Sequence, residues 1–346
     1  MLEIKHTLCP SCSVGCGINV VLKDEDIVGT FPYKRHPVNE GKNCLNGRNS
    51  IECFKNKIVK ATISNSEADV EKAIEEVSKE LSSADASSVT VVCSGNNTIE
   101  EIEAVKDFAE SKGFNIAFYA NDLGNFDEVA SYDDVEKANV VLVIGDLLYG
   151  NPLLGRRIVH AKQNDAKIYA AGSPESVTAN IADEFADQPI QEFLDAKKSD
   201  LDESSVIIFN EVSCAEDLDK ISALANETNC KVLPVYSKSN TKGALGILES
   251  KSKDEILELF ENTKVLIVFN DDVMDEIEFD YGRISKIISF ACCENETTKS
   301  SDIVIPVKSW LEHDGSFVNA MGETQSFSAV IESDILSETD IIEKLN

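Results

Sequence analysis

The sequence predicts an α/β protein: a small cysteine-rich N-terminal β-module followed by doubly wound, mostly parallel α/β lobes. Three observations predict it. From about residue 58 onward, short unbroken Val/Ile-rich runs alternate with amphipathic helical stretches, the pattern of parallel strands covered on both faces. Ahead of them, four of the ten cysteines fall within the first 44 residues. Between the third and fourth of these the chain alternates about an acidic turn, as a hairpin does.

Taken in order, INVVLKDEDIVGTFPY turns at Asp24-Glu25-Asp26 and breaks at Gly29. EADVEKAIEEVSKELSSA places Val70, Ala73, Ile74, Val77 and Leu81 on one helical face. SVTVVCSG reads as a short buried strand ending at Gly95. Residues 98–112 read as a helix, capped by Asn97 or Thr98 and stopped at Gly113. The strand NVVLVIGD, the helix GRRIVHAKQNDA and the strand AKIYAAGS follow. SSVIIFN, EDLDKISALANETN, CKVLPVYS, DEILELFENT, KVLIVFND, KIISFACC and SDIVIPV continue the alternation, with no internal repeat or low-complexity linker. The natural division is residues 1–57, 58–200 and 201–346.

Sixty-two acidic against 32 basic residues give a net charge of −30 and a pI near 4.4, which argues against nucleic acid or an anionic membrane as the main partner. Residues 1–60 hold nine Lys/Arg and six Asp/Glu, a net of +3, so the remainder carries −33. No apolar run approaches the ~20 residues that span a bilayer, and MLEIKHTLCP has neither a basic n-region nor an apolar h-region. A cytoplasmic location without membrane insertion is expected.

In that compartment thiols stay reduced, so the cysteines need a reason other than disulfides. Cys9, Cys12 and Cys16 lie within eight residues and Cys44 follows after 27 more, a set that can surround one compact metal centre. Four thiolates suit zinc or an iron–sulfur cluster. CxxCxxxC with one distant Cys lacks the paired CxxC knuckles of structural zinc and favours [4Fe-4S], with zinc and unligated thiols left open by spacing alone. Gly15 and Gly17 let the backbone curl around Cys16, and Pro10 fixes φ after the first cysteine. Cys53, Cys93, Cys214, Cys230, Cys292 and Cys293 sit in apolar or helical contexts and read as core or surface thiols. The loops after the strands, Gly95-Asn96-Asn97, Gly145-Asp146, Gly172-Ser173-Pro174 and Asn270-Asp271, contain no GxGxxG or P-loop pattern and read first as ordinary turns.

CPSCSVGCGI, with the later GKNCLNGRNSIE, resembles the N-terminal cluster segment of the molybdopterin (bis-MGD) oxidoreductases, and most of all the formate dehydrogenase alpha subunits. The large iron–sulfur subunit of NADH:quinone oxidoreductase is a more distant likeness. DDVEKANVVLVIGDLLYGNPLLGRRIVHAKQNDAKIYAAGSPES, CKVLPVYSKSNTKGALGILE and SDIVIPVKSWLEHDGSFVNAMGETQ are similar to later segments in the family's order, so the resemblance covers most of residues 7–331. It implies a [4Fe-4S] cluster on Cys9, Cys12, Cys16 and Cys44. It also implies a pterin-nucleotide lobe at residues 119–200, with Gly145, Asn151 and Gly172 against the nucleotide if one is bound, and residues 58–118 interleaved with 201–346.

The sequence departs from the family where the chemistry sits. Catalytic members place a Cys or selenocysteine on the metal in the stretch that here is residues 114–134, which contains no Cys, and no His or Arg partner appears. Asn46 stands where a Lys typically bridges cluster and pterin, and AGSPES lacks the Arg of the family's Asp-Pro-Arg turn. Family members continue beyond the second α/β half into a β-barrel, whereas this sequence stops at Asn346. With only three Arg beyond residue 60, the acidic remainder is a poor host for a polyanionic bis-nucleotide, and Arg156 and Arg157 read as helix surface rather than a phosphate clamp.

The expectation is therefore an iron–sulfur electron-transfer subunit of a formate dehydrogenase-like or related complex, with Mo/W-bis-MGD disfavoured and no catalytic residue in this chain. Its expected partners are other redox subunits: iron–sulfur, flavin, or hydrogenase/heterodisulfide reductase-type proteins. One alternative is an active Mo/W-bis-MGD formate or formylmethanofuran dehydrogenase-type subunit completed by another chain. The other is a non-redox, zinc-stabilised scaffold.

Overall fold

The computed structural model describes residues 1–346 except Glu25, Asn121 and Asp187. Glu25, the middle of the expected acidic turn, thus lies outside the described residues. On either side of it, Gly17–Lys23 and Asp26–Pro32 pair antiparallel, with a register shift at Val21/Leu22 opposite Gly29. A strand the sequence pattern hides, Leu2–Leu8, pairs antiparallel with Gly17–Lys23. Leu2, Glu3, Ile4 and Lys5 alternate apolar and polar, but neither face is buried there, so the alternation marks no core side. This pairing sets Leu8 opposite Gly17 and lets Cys9 N–H donate to Cys16 O at 2.8 Å. Two cysteines seven residues apart thereby meet at one end of the sheet.

Two larger sheets follow. The five-stranded sheet is parallel throughout, in the spatial order Glu184–Phe185, Lys167–Ala171, Val140–Ile144, Val206–Phe209, Lys231–Pro234. The seven-stranded sheet runs Ser66–Ala68, Ala61–Ile63, Ile303–Pro306, Lys286–Ala291, Val265–Phe269, Val89–Val92, Asn115–Ala117, parallel except for the hairpin at its first edge. That hairpin turns through Ser64 and Asn65, both at positive φ, the geometry that matches strand twist in a two-residue turn. The fold class is thus α/β and mostly parallel.

The boundary drawn at residue 200 does not coincide with sheet membership. Val206–Phe209 and Lys231–Pro234 hydrogen-bond into the sheet of Val140–Ile144, and the chain crosses to the other sheet only after residue 234. Composition cannot place that crossing, because strands of both sheets are the same Val/Ile runs.

Alternate residues of single strands enter different cores. Leu142 and Ile144 join the core shared by both large sheets, whereas Val141 and Val143 pack on the opposite face beneath the cysteine module. The helix Ile99–Lys112 begins in a capping box made by Thr98 and Glu101 and stops at Gly113. The C-terminal helix Glu338–Leu345 packs on it and on Val70–Ser83.

Glu338 is fully buried, and its two carboxyl oxygens accept from Asn97 Nδ2 at 3.0 and 2.8 Å. Burial, and then the nearby Glu101 carboxylate, push its pKa well above the ordinary glutamate range. The native chain therefore keeps a proton that the unfolded chain releases above about pH 4.3, so stability falls as pH rises. Glu338→Gln keeps the shape without that proton. The urea stability of the variant relative to wild type is expected to gain about 1.4 kcal/mol per pH unit between the unfolded and folded pKa values. A difference independent of pH would show Glu338 to be ionised in the fold.

Candidate metal centre

The loop between Leu2–Leu8 and Gly17–Lys23 carries Cys9, Cys12 and Cys16, and the helix Leu45–Asn49 begins at Cys44. All four line one cavity with Ser11, Val14, Asn43, Asn46 and residues 150–153 of the five-stranded lobe. Three remote segments hold the loop in place. Tyr132 Oη donates to Val14 O at 2.8 Å, Tyr236 N–H donates to Ser13 Oγ at 2.8 Å, and Ala320 N–H donates to Ser13 O at 2.7 Å. Gly15, at φ +73°, leaves room for Asn319 and Gln325: a Cβ there would lie 2.1 Å from Gln325 Oε1. Gln325 Nε2 donates to Gly15 O at 3.2 Å. Tyr132 carried no sequence signal, and Tyr236 was visible only as part of the CKVLPVYSKSNTKGALGILE segment. Asn319 and Gln325 were visible only as part of the SDIVIPV…GETQ segment.

The thiols sit where ionisation is costly. Burial pushes the Cys9 thiol up, burial and then the neighbouring Cys9 push Cys12 up to about 12, and burial followed by Cys12, Cys9 and Cys44 pushes Cys16 well above the ordinary value. Such thiols become thiolates only when a cationic centre shares the cavity. Hydrogen-bond donors for thiolates are already in place. Gly47 N–H donates to Cys44 Sγ at 3.3 Å, and Ser11, Val14 and Asn151 line the same cavity beside Cys9 and Cys12. Asn43 Nδ2 is buried with no hydrogen-bond partner, a donor that a sulfide or thiolate in the cavity would satisfy. Four thiols set around a shared cavity are the donor set of a polynuclear iron–sulfur centre. The donor set fits a [4Fe-4S] cluster.

A parallel sheet offers a second kind of site, the crevice where strand order reverses. In the five-stranded sheet this lies between Val140–Ile144 and Val206–Phe209, where Gly145, Gly172, Ser173, Gln188, Glu211 and Ser213 line about 310 Å³. None of its described lining residues is Lys or Arg. Gly145 (φ +93°) and Gly172 (φ +126°) pack backbone to backbone, a Cβ on Gly172 lying 3.2 Å from Gly145 N. Of the three residues considered for a pterin nucleotide, Gly145 and Gly172 share this crevice. Asn151 instead lines the cysteine cavity.

In the seven-stranded sheet the reversal lies between Val89–Val92 and Val265–Phe269, and the crevice there is filled. Gly95 abuts Thr241, whose Oγ1 would be 2.3 Å from a Cβ, and Asn240 N–H donates to Gly95 O at 2.8 Å. Buried Lys238 pairs with Asp271 at 2.7 Å and Glu276 at 2.8 Å.

Arg157 corrects the surface reading. It is buried, with Glu136 at 2.7 Å, Asp133 at 3.2 Å and Glu40 of the cysteine module at 3.4 Å, while Arg156 pairs with Glu40 at 2.6 Å. These charges fasten module to lobe and are not free for phosphate. Cys93 and Cys230 are buried, Cys214 is exposed and Cys53, Cys292 and Cys293 are half-buried, all as free thiols away from the cavity.

Residues 2–56 match the family described as molybdopterin oxidoreductase Fe4S4 domain, and residues 208–342 match molybdopterin oxidoreductase. The chain belongs to the molybdopterin oxidoreductase family. It is formate dehydrogenase alpha-like. It is 32% identical over 208 residues to F420-dependent formate dehydrogenase 1 subunit alpha of Methanococcus maripaludis, covering 53% of this chain and 30% of that one. It is 31% identical over 206 residues to the F420-dependent formate dehydrogenase subunit alpha of Methanocaldococcus jannaschii, again 30% of the relative's length. The chain thus spans about a third of the curated relatives it matches. Acetylene hydratase from Pelobacter acetylenicus shares the fold at a TM-score of 0.68 and 13% identity, over 99% of this chain and 68% of that one. A chain of the formyltransferase/hydrolase complex from Methylorubrum extorquens, solved with methylofuran, shares it at 0.58 and 12%, over 82% and 97%. The Fe4S4 match supports a [4Fe-4S] cluster in this molybdopterin oxidoreductase. Among the described residues no helix is long and apolar enough to cross a membrane.

Proposed function

We propose that the chain is a cytoplasmic iron–sulfur electron-transfer subunit of a formate dehydrogenase-like or related redox complex, a molybdopterin oxidoreductase scaffold that has lost its Mo/W site. Cys9, Cys12, Cys16 and Cys44 would hold the [4Fe-4S] cluster, which supplies one-electron transfer when bound. Ser11, Val14, Asn151 and Gly47 stabilise the thiolates, while Tyr132, Tyr236 and Gln325 keep the loop from relaxing. The half-buried positions of Cys12 and Cys44 support a centre near enough to the surface to exchange electrons with a partner redox subunit.

The observation that carries the loss of the Mo/W site is the state of the two crevices. One is closed by Thr241 and the Lys238–Asp271–Glu276 cluster, and the other offers Glu211 and no cation among its described lining residues. A bis-dinucleotide carrying four phosphates needs many convergent cationic or amide partners, and this crevice supplies no Lys or Arg among its described lining residues. Both features support a scaffold without the Mo/W cofactor. Asn46, lining the cysteine cavity, supplies no charge between the cavity and either crevice.

Metal analysis of protein purified without oxygen from its native host tests both halves of the reading. About four irons per chain with no molybdenum or tungsten is expected. Near-stoichiometric molybdenum or tungsten would establish the catalytic alternative, and one zinc without iron the scaffold.

A further inference from the structure

We propose that Asn151 belongs to the metal centre: its side-chain amide, aimed by Asn210, donates an N–H···S hydrogen bond to Cys12 and raises the reduction potential of the cluster held there. This rests on the cluster reading above and goes beyond it in assigning a potential-setting residue from outside the cysteine module.

The backbone of Asn151 is fixed on both sides. It stands between the helices Leu147–Gly150 and Pro152–Gln163; its N–H donates to Leu147 O at 3.0 Å, and its carbonyl accepts from Leu154 N at 2.9 Å and Gly155 N at 3.0 Å. Pro152 has no N–H to satisfy and starts the second helix directly. The side chain has nowhere else to go: Asn151 is 5% exposed and lines the cysteine cavity.

Its orientation follows from the inventory of amide donors and acceptors. Asn210 Nδ2 donates to Asn151 Oδ1 at 3.0 Å, so the oxygen is committed and the Nδ2 amide is the group left to face a sulfur in the cavity that Asn151 and Cys12 line together. Asn210 is itself fixed, following the strand Val206–Phe209 and donating its N–H to Ile144 O at 3.2 Å. The carboxyl edge of the five-stranded sheet thus aims a neutral donor into the cysteine cavity.

A reduced cluster is one charge more negative than an oxidised one. A donor to its sulfur stabilises the reduced state more, and hydrogen bonds to the sulfurs are among the levers that set these potentials. A residue that merely packed against the loop would change stability and leave the potential alone.

The test uses the full chain purified anaerobically, as wild type, Asn151→Leu, Asn151→Ser and Asn210→Leu, each checked for iron and visible absorption before potentiometric titration. Wild type without iron would overturn the cluster reading before any variant is compared. With the cluster present, Asn151→Leu is expected to raise the oxidised-to-reduced ratio at the wild-type midpoint about tenfold, equivalent to 59 mV downward for one electron. Asn151→Ser, which keeps an O–H donor, should recover part of the shift, and Asn210→Leu should move the potential the same way by less. A loaded Asn151→Leu protein with unchanged or raised potential overturns the assignment. Should that variant fail to keep its iron, an unchanged potential in Asn210→Leu overturns it instead.

Discussion

Replacing Cys16 with Ser is expected to abolish iron binding and to loosen the whole N-terminal module. Cys16 is buried, and its thiol is pushed well above the ordinary value by burial and then by Cys12, Cys9 and Cys44. A serine hydroxyl in that position does not ionise to replace the thiolate, and three remaining sulfurs leave an open coordination position. The energetic scale is large because binding free energy at a site that exists only in the folded chain is folding free energy, about 10–16 kcal/mol for structural zinc in small peptides. Hydrogen exchange should therefore quicken across Leu2–Leu8 and Gly17–Lys23, whereas the two α/β sheets keep their own cores. Cys93→Ser is the control: that thiol is equally buried but lies at the end of Val89–Val92, away from the cavity. Iron retained in the Cys16 variant and lost in the Cys93 variant would sink the ligand assignment.

Lys238→Ala is expected to cost about 3–5 kcal/mol in urea unfolding, the range for removing one member of a buried ion pair. Burial works to lower the Lys238 pKa, but Asp271 and Glu276 outweigh it and hold it above the ordinary lysine value. A raised lysine pKa stabilises throughout neutral pH, and that contribution is lost only as pH climbs through the folded value, above about 10.4. The alanine variant leaves two carboxylates facing each other without a cation. Glu276 is already raised, by burial and then by Asp271, and in the variant it will take up a proton more readily. The variant should thus recover toward wild type as pH falls from 7.5 to 5.5. A gap that widens on acidification would contradict this account. The same substitution separates two readings of the crevice: a phosphate cradle would lose ligand and keep its stability, whereas a filled structural site loses stability.

How much of this was legible depends on the range of the interactions. The strands Val140–Ile144 and Val265–Phe269 announced themselves because a parallel strand buried on both faces must be apolar at every position. The helix Ile99–Lys112 was delimited by Thr98 and Gly113, whose capping roles are local. Leu2–Leu8 was missed because most of it is exposed on both faces and its partner strand lies across the cysteine loop. Arg157 was read as surface because a helix alone does not reveal that Glu40, from another module, will cover it.

The sequence by itself determined the alternation of strand and helix, the cysteine spacing and the excess of acid, since each is written in neighbouring residues. Tertiary structure decided what those features mean together. It brought four cysteines to one cavity, closed one crevice with Lys238 and Thr241, and placed Asn151 in the cysteine cavity rather than the nucleotide crevice. Each of these depends on contacts between residues tens to hundreds of positions apart. Packing and hydrogen-bond geometry establish such contacts only once the two sheets have formed around their shared core.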